Sequence, residues 1–304
     1  MKEHNLLDFI FVKFNHRILR PILKQLRIPG QNKILNQFHS EDVIYGLNDK
    51  ENRITKITVS LTTFPDRFSS VSKTLISILN QTTKPDRIIV WLGEDTKIIP
   101  DFLLKFEKYG VNFIKKTGNL KPHKKYLYAM QEYPDDIVIT VDDDVIYQKT
   151  LIEDLLKTYK KHSDCICANR VHFITKKING NLYNYNNWIN DFRLSKKPSH
   201  RLIATGVGGV LYPPHSIPEI AFNTKNIEIV CLEADDIWLK FAEAINHVKV
   251  VWSPTKYLNA CCEIPGSQKK ALSKENTGNS KNDEYIANCE KLFGISLQEL
   301  VSQK

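Results

Sequence analysis

The chain has 304 residues, 42% of them hydrophobic, and carries 43 basic against 34 acidic side chains for a net charge of +9. That apolar share supports one large domain or two modest ones, and it excludes a chain unable to bury a core. No run is apolar for long enough to span a bilayer, and the positive surplus suits a polyanionic partner, either nucleic acid or an anionic membrane face.

Residues 1–28 combine two stripes at helical spacing. Leu7, Phe11, Phe14, Ile18 and Ile22 form the apolar one, and Lys13, Arg17, Arg20, Lys24 and Arg27 the basic one. Pro21 disfavours a helical Arg20, so two short helices are expected. Such a segment either lies on an anionic membrane surface or packs on its own domain or a partner chain. Asp8, Lys13 and Arg17 interrupt the only N-terminal apolar run, which argues against a signal peptide. Residues 1–54 are therefore a basic amphipathic segment plus a polar linker, and the main domain starts near Thr55.

From there strands and helices alternate. A strand is expected over Ile57 to Leu61, with Thr62, Thr63, Pro65, Asp66 and Arg67 in the loop after it. A helix follows over Ser69 to Gln81, then a strand over Ile88 to Leu92, a helix over Asp101 to Tyr109 and a strand over Val111 to Ile114. Lys124 to Tyr133 is the next helix. This alternation predicts an α/β, doubly wound, mostly parallel sheet with helices on both faces.

Ile137 to Val141 is unbroken apolar or β-branched sequence, the pattern of a strand buried on both faces. Asp142, Asp143 and Asp144 follow at once. Three adjacent charges end the strand, and the carboxyl ends of strands are where open α/β sheets bind ligands. Adjacent carboxylates repel one another unless a cation is present. Hard oxygen donors select Mg²⁺ or Mn²⁺, so either a metal sits here or the turn is solvated and caps the next helix. Strand alternation would point Asp142 and Asp144 to one side and Asp143 to the other.

Beyond the turn, a helix is expected over Leu151 to His162 and a strand over Cys165 to Ala168. Gly180 to Trp188, rich in Asn and Tyr, reads as a surface loop. Val207 to Tyr212 is apolar, Ile227 to Cys231 reads as strand, Asp236 to Ile245 as helix and Val248 to Trp252 as strand. Pro265 to Asp283 is polar and reads as a mobile loop or tail, with a last helix over Glu284 to Leu292. The domain thus spans 55–264 and a C-terminal loop and helix 265–304. The six cysteines, Cys165, Cys167, Cys231, Cys261, Cys262 and Cys289, form no C-x-x-C pair and read as reduced core fillers of a cytoplasmic protein.

The strand with its Asp-Asp-Asp turn resembles the DxD element of GT-A fold glycosyltransferases, which bind a sugar nucleotide through a divalent metal. Val59-Ser-Leu-Thr-Thr-Phe-Pro-Asp-Arg67 resembles their first strand and nucleotide-contacting loop, and Pro85-Asp-Arg-Ile-Ile-Val-Trp-Leu92 their second strand. Gly206-Val-Gly-Gly-Val-Leu-Tyr-Pro-Pro214 and Ala234-Asp-Asp-Ile-Trp238 resemble acceptor-side elements of family 2-like enzymes that build bacterial capsule and lipopolysaccharide. The resemblance implies a GT-A-like fold and Mn²⁺ or Mg²⁺ as cofactor. It implies a UDP-linked sugar donor, a saccharide or lipid-linked saccharide acceptor, and a place at the inner face of the plasma membrane. It assigns metal binding to Asp142 and Asp144, and ribose or donor-sugar contact to Asp143. Base and ribose contacts fall to Thr62, Thr63, Asp66 and Arg67, and a phosphate contact to Lys124 or Lys125. Gly208 and Gly209, with Gly206, would line the donor-sugar and acceptor pocket.

Inverting transfer also needs a general base for the acceptor hydroxyl. Glu233, Asp235 and Asp236 form a second acidic cluster at a helix start; Asp236 is the base of choice and Asp235 a cap, with either open to the role. His172 and His215 could contact metal or phosphate, but a lone His is more often structural. Two rivals remain. A sugar-phosphate nucleotidyltransferase wants a Gly-rich basic loop after its first strand, and Thr62 to Arg67 lacks glycine. A non-catalytic basic protein would use its charge on membrane or nucleic acid, but strand-terminal aspartates repel a phosphate backbone, so no nucleic-acid partner is expected.

Overall fold

A computed structural model describes residues 43–257, 259–267 and 281–303, together with Ile10 and Phe14. The expected N-terminal helices and most of the 265–283 segment lie outside the described residues. In chain order the elements are β1 (Ile57–Thr62), α1 (Phe68–Leu79), β2 (Arg87–Leu92), α2 (Asp101–Leu104), β3 (Val111–Lys115), α3 (Lys124–Glu132), β4 (Ile137–Thr140), β5 (Val145–Tyr147), α4 (Leu151–Tyr159) and β6 (Ile166–Ala168). Then come β7 (Val171–Phe173), β8 (Leu202–Ala204), β9 (Val210–Tyr212), α5 (Thr224–Val230), α6 (Asp235–Ile245), β10 (Val250–Trp252), β11 (Cys261–Glu263), α7 (Lys281–Phe293) and α8 (Leu297–Leu300).

Seven strands form one sheet in the order β10-β6-β9-β4-β1-β2-β3. All neighbours are parallel except β9, which runs antiparallel to both β4 and β6. This is the expected α/β doubly wound, mostly parallel sheet. Successive strands step outward from β1 to β3, and the chain then returns to place β4 on the other side of β1. That reversal is a topological switch point, and it opens a crevice at the carboxyl ends of β1 and β4.

Alternation along the strands feeds both faces. Ile57, Val59, Leu61, Ile88, Val90, Leu92, Ile137 and Ile139 pack with Val71, Leu75, Ile78 and Leu79 of α1 and with Leu151, Ile152 and Leu155 of α4. Ile89, Trp91 and Val138 point the other way, against Ala129 of α3. A third layer, built on Trp188, Trp238, Phe241 and Leu300, extends the core beneath α6 and the C-terminal helices. β1 buries two polar residues on the α3 face, and both are satisfied. The Thr58 hydroxyl donates to Asp136 Oδ2 at 2.6 Å, and Ser60 donates to the main-chain carbonyl of Lys125. This second bond ties α3 to the sheet at Lys125.

Several elements differ from expectation. Ile227 to Cys231 is not a strand but the end of α5. Asn223 caps that helix by accepting from the Asn226 N–H, and Ile229 is 81% exposed, so no second buried face exists for a strand. The helix expected over Asp101 to Tyr109 is a short α2 followed by a 3₁₀ turn, closed by Gly110 at φ +98°. Asp142 to Asp144 are followed directly by β5, which pairs antiparallel with β11. The segments 43–48 belong to the main core: Val43 and Leu47 pack against it, and Gly46 N–H donates to Tyr109 O. Among the described residues no helix is long and apolar enough to cross a membrane.

Candidate active site

A cleft of about 680 Å³ opens at the switch point. Its floor is the turn after β4. Its walls come from the β1 loop, the α3 start, the 205–208 turn, the α6 start and the chain around Tyr185 and Asn282. Both acidic clusters face into it. Asp142, Asp143 and Asp144 line it, and so do Glu233, Asp235 and Asp236.

One lysine joins the two clusters. Lys125, in the first turn of α3, places Nζ 2.7 Å from Asp142 Oδ1 and 2.9 Å from Asp235 Oδ2, with its side chain 5% exposed. Both carboxylates keep its ammonium charged well above the ordinary lysine range, against burial that pulls the other way. Its neighbour Lys124 also lines the cleft but turns elsewhere, donating to Asn119 Oδ1 at 3.3 Å. Burial lowers the Lys124 pKa, opposed by Asp95 and Asp143.

Arg67 does for the other aspartates what Lys125 does for Asp142. Its Nη1 lies 2.7 Å from both Asp143 Oδ1 and Asp144 Oδ2. The alternation expected of these residues is therefore corrected. The strand ends at Thr140, the chain turns, and Asp143 and Asp144 converge on one guanidinium while Asp142 faces Lys125. Burial pushes the Asp143 carboxyl up to about 6, with Arg67 holding it lower than burial alone would. Asp143 Oδ2 and the Thr63 hydroxyl are buried in the cleft without a well-formed hydrogen bond.

Residues 61–209 match the profile of the family described as Glycosyl transferase family 2. The match spans just under half of the chain and marks it as a glycosyltransferase. The glycosyltransferase is also similar in fold to a mannosyltransferase, PcManGT, from Pyrobaculum calidifontis, solved with GDP-Man and Mn²⁺. That likeness has a TM-score of 0.49 at 10% identity, over 94% of this chain and 75% of that one. S. aureus TarS 1-349 with UDP matches at a TM-score of 0.44 and 14% identity, over 80% of this chain and 73% of that one. No curated protein sequence matches the chain.

In this glycosyltransferase the second acidic cluster splits by environment. Glu233 is engaged: Lys121 pairs with its carboxylate, Lys281 lies 3.7 Å away, and Tyr285 donates to it at 3.3 Å, so its pKa is lowered. Asp235 feels burial, yet Lys125 overrides it and holds the carboxylate below its ordinary range. Asp236 accepts from the Gly206 N–H at 3.0 Å. Burial and the neighbouring Asp235 charge raise it above the ordinary carboxylate range, with Lys125 opposing. Neither residue caps α6 through its side chain; Ala234 is the N-cap. Two adjacent carboxylates thus hold opposite protonation tendencies at one cleft wall.

The other expected residues divide. Thr62, Thr63, Arg67, Lys124, Lys125, Asp142, Asp143, Asp144, Asp235, Asp236 and Gly208 all line the cleft. Asp66 is exposed and borders a separate depression with Ser69 and Lys73. Gly209 lies outside the cleft and backs onto Leu151, in a left-handed conformation at φ +82°. His215 sits at the opposite end of the sheet, 3.0 Å from Asp135. His172 lines the cleft, and its Nδ1 accepts from the Asp191 N–H at 3.2 Å. Sequence reading missed Arg170, Tyr185, Arg193 and Asn282, which complete the wall. The Asn- and Tyr-rich loop at 180–188 was the one visible hint. The segment expected as a mobile tail begins α7 with Asn282 in the cleft and Asp283 accepting from the Tyr185 N–H at 2.8 Å.

The donors at 142–144 suit a hard divalent cation, being carboxylate oxygens alone. Among the described residues no three His, Cys, Asp or Glu side chains converge on one point. A cation held by one or two carboxylates and completed by substrate phosphate and water needs no fuller cage, and the buried unpaired Asp143 oxygen shows spare acceptor capacity beside it.

Proposed function

We propose that this glycosyltransferase moves a sugar from a nucleotide-sugar donor to a saccharide or lipid-linked acceptor, with inversion. The observation that carries the reading is that two acidic clusters line one cleft at the switch point and are joined by Lys125. One cluster suits an activated donor and the other suits the acceptor hydroxyl.

Each group has a distinct part. Asp142 and Asp144 would hold Mn²⁺ or Mg²⁺, which as a Lewis acid would stabilise negative charge developing on the diphosphate. Thr62, Thr63 and Arg67 line the end of the cleft next to β1, where the base and ribose would lie. Asp236 takes the proton from the acceptor hydroxyl as that oxygen attacks the anomeric carbon. Its raised pKa, from burial and Asp235, brings it toward the range in which a general base works well. Asp235 stays ionised through Lys125 and sustains that shift.

We further place the enzyme at the inner face of the plasma membrane in bacterial surface-polysaccharide synthesis. The basic and apolar stripes of residues 1–28 support this, and removing them should weaken binding to anionic vesicles but not neutral ones. The central test is a donor screen. Purified full chain with Mn²⁺ is offered a panel of UDP- and GDP-sugars, and nucleotide release is followed. Release from at least one donor is expected; none from any donor, with several acceptors present, would overturn the reading.

A further inference from the structure

Six cationic side chains line the cleft: Arg67, Lys121, Lys124, Lys125, Arg170 and Arg193. Four of them are committed to carboxylates. Arg67 is held by Asp143 and Asp144, Lys121 by Glu233, Lys125 by Asp142 and Asp235, and Arg193 by both oxygens of Asp191. Lys124 donates to Asn119 and feels the charges of Asp95 and Asp143. Arg170 differs. Among the described residues its guanidinium has no carboxylate partner, and Nη1 donates only to the neutral Thr205 hydroxyl at 3.2 Å.

The chain goes to some length to seat this arginine. The Thr205 N–H donates to the Arg170 carbonyl at 3.1 Å, and the Thr205 hydroxyl approaches the same oxygen at 3.2 Å. Gly208 presses on it from the side. A Cβ there would stand 2.5 Å from Arg170 Cβ and 2.7 Å from its backbone nitrogen, so only glycine fits. The glycine-rich turn is thus shaped around Arg170. The position is central. Cys261, which lines the same cleft, feels the opposite charges of Arg170 and Asp142. Thr205 precedes Gly206, where a Cβ would lie 3.1 Å from Asp142 Oδ1 and 3.5 Å from Asp236 Oδ1.

An arginine held in a polar cleft without a counter-anion is a fork of donors awaiting one, and its planar geometry suits phosphoryl oxygens. We propose that Arg170 is a catalytic residue that binds the diphosphate of the nucleotide donor and stabilises its charge as the sugar departs. Departure breaks the bond between the anomeric carbon and the diphosphate oxygen. The electron pair leaves with that oxygen, and the acceptor proton goes to Asp236. Arg170 stays protonated throughout and meets the new charge electrostatically. Lys125, another cation lining the cleft, already serves two carboxylates. This assignment rests on the nucleotide-sugar reading above.

The test uses full-length wild type, Arg170→Gln and Arg170→Lys, with calorimetric titration of UDP, GDP, UMP and GMP in Mn²⁺. Wild type should bind at least one of the diphosphates. Arg170→Gln should weaken that diphosphate roughly 10- to 100-fold, the worth of one charge-assisted hydrogen bond to an anion, and the matching monophosphate much less. Arg170→Lys, retaining charge without the fork, should fall between. Release of nucleotide from the cognate donor in the absence of acceptor should slow in the same order. Should Arg170→Gln fail to fold, Arg170→Lys carries the test alone: a diphosphate affinity at least about threefold weaker than wild type is expected, and an affinity equal to wild type overturns the proposal. Unchanged diphosphate binding in Arg170→Gln overturns the proposal, and it does so as well if only the KM for a phosphate-bearing acceptor rises, since the anion is then the acceptor's. Failure of wild type itself to bind UDP or GDP would instead strike the nucleotide-sugar reading.

Discussion

Replacing Lys125 by methionine removes one charge from the centre of the cleft while keeping most of the side-chain volume. At 2.7 and 2.9 Å, each of its two ion pairs has a gross attraction of about 6 kcal/mol at an effective dielectric of about 20. Desolvation of the ammonium offsets several kcal/mol of that sum, and removing one partner of a buried pair typically costs about 3–5 kcal/mol. Lys125→Met should therefore lower stability by about 3–5 kcal/mol, or roughly 6–20 °C in thermal midpoint for a chain of this size. The pH dependence gives a second signature. Asp235 is held below its ordinary range, so its contribution is present above the unfolded carboxylate value and is lost as pH falls through the lowered folded value. In the variant Asp235 loses its cation and protonates more readily. The gap between variant and wild type should be widest near neutrality and narrow as pH falls below the unfolded carboxylate value of about 4. Denaturant unfolding across about pH 2–8 in chelator measures both. A loss under about 1 kcal/mol, or a gap that does not narrow in acid, would refute the view that this lysine holds the two clusters together.

Asp236→Asn keeps the acceptor for the Gly206 N–H but removes basicity, so turnover should fall roughly 10²–10⁴-fold with donor affinity little changed. Because the ionised form is the active base and its pKa is raised, wild-type activity should climb with pH through a limb lying above the ordinary carboxylate value of about 4; normal turnover in the variant would move the base elsewhere. Asp144→Ala should fold, since Arg67 retains Asp143. A nucleoside diphosphate at 100 times its Kd should raise the wild-type midpoint by roughly 5–10 °C only with Mn²⁺ or Mg²⁺ present, and the variant should lose that increment; equal stabilisation in excess chelator would exclude the metal role. Gly208→Ala forces a Cβ onto the Arg170 backbone and should cost about 1–3 kcal/mol as well as diphosphate affinity, read by unfolding and titration together, and a variant as stable as wild type would show that the contact relaxes freely.

The local pattern determined much of this protein. Ile137 to Val141 declared a strand buried on both faces because every residue is apolar or β-branched, and the three aspartates after it declared where that strand meets water. Alternating strands and helices then implied a doubly wound sheet, and with it a site at the carboxyl ends. Each inference depends on periodicity within ten or so residues, which a sequence displays directly. The three-residue strands β5, β7, β8 and β11 escaped notice because so short a run shows no period, and what makes them strands is a partner distant in the chain. Tertiary packing alone set Lys124 and Lys125 apart. They are neighbours in sequence but point about 100° apart on a helix, and the docking of α3 through Ser60 turns Lys125 onto both clusters. It also brought Arg67 across 76 residues to Asp143, and set Asp235 low and Asp236 high although they are adjacent and chemically identical. Arg170 and Asn282 joined the site for the same reason. A charge's partner is whichever group the fold brings within about 4 Å, and that distance is a property of the packed chain rather than of spacing along it.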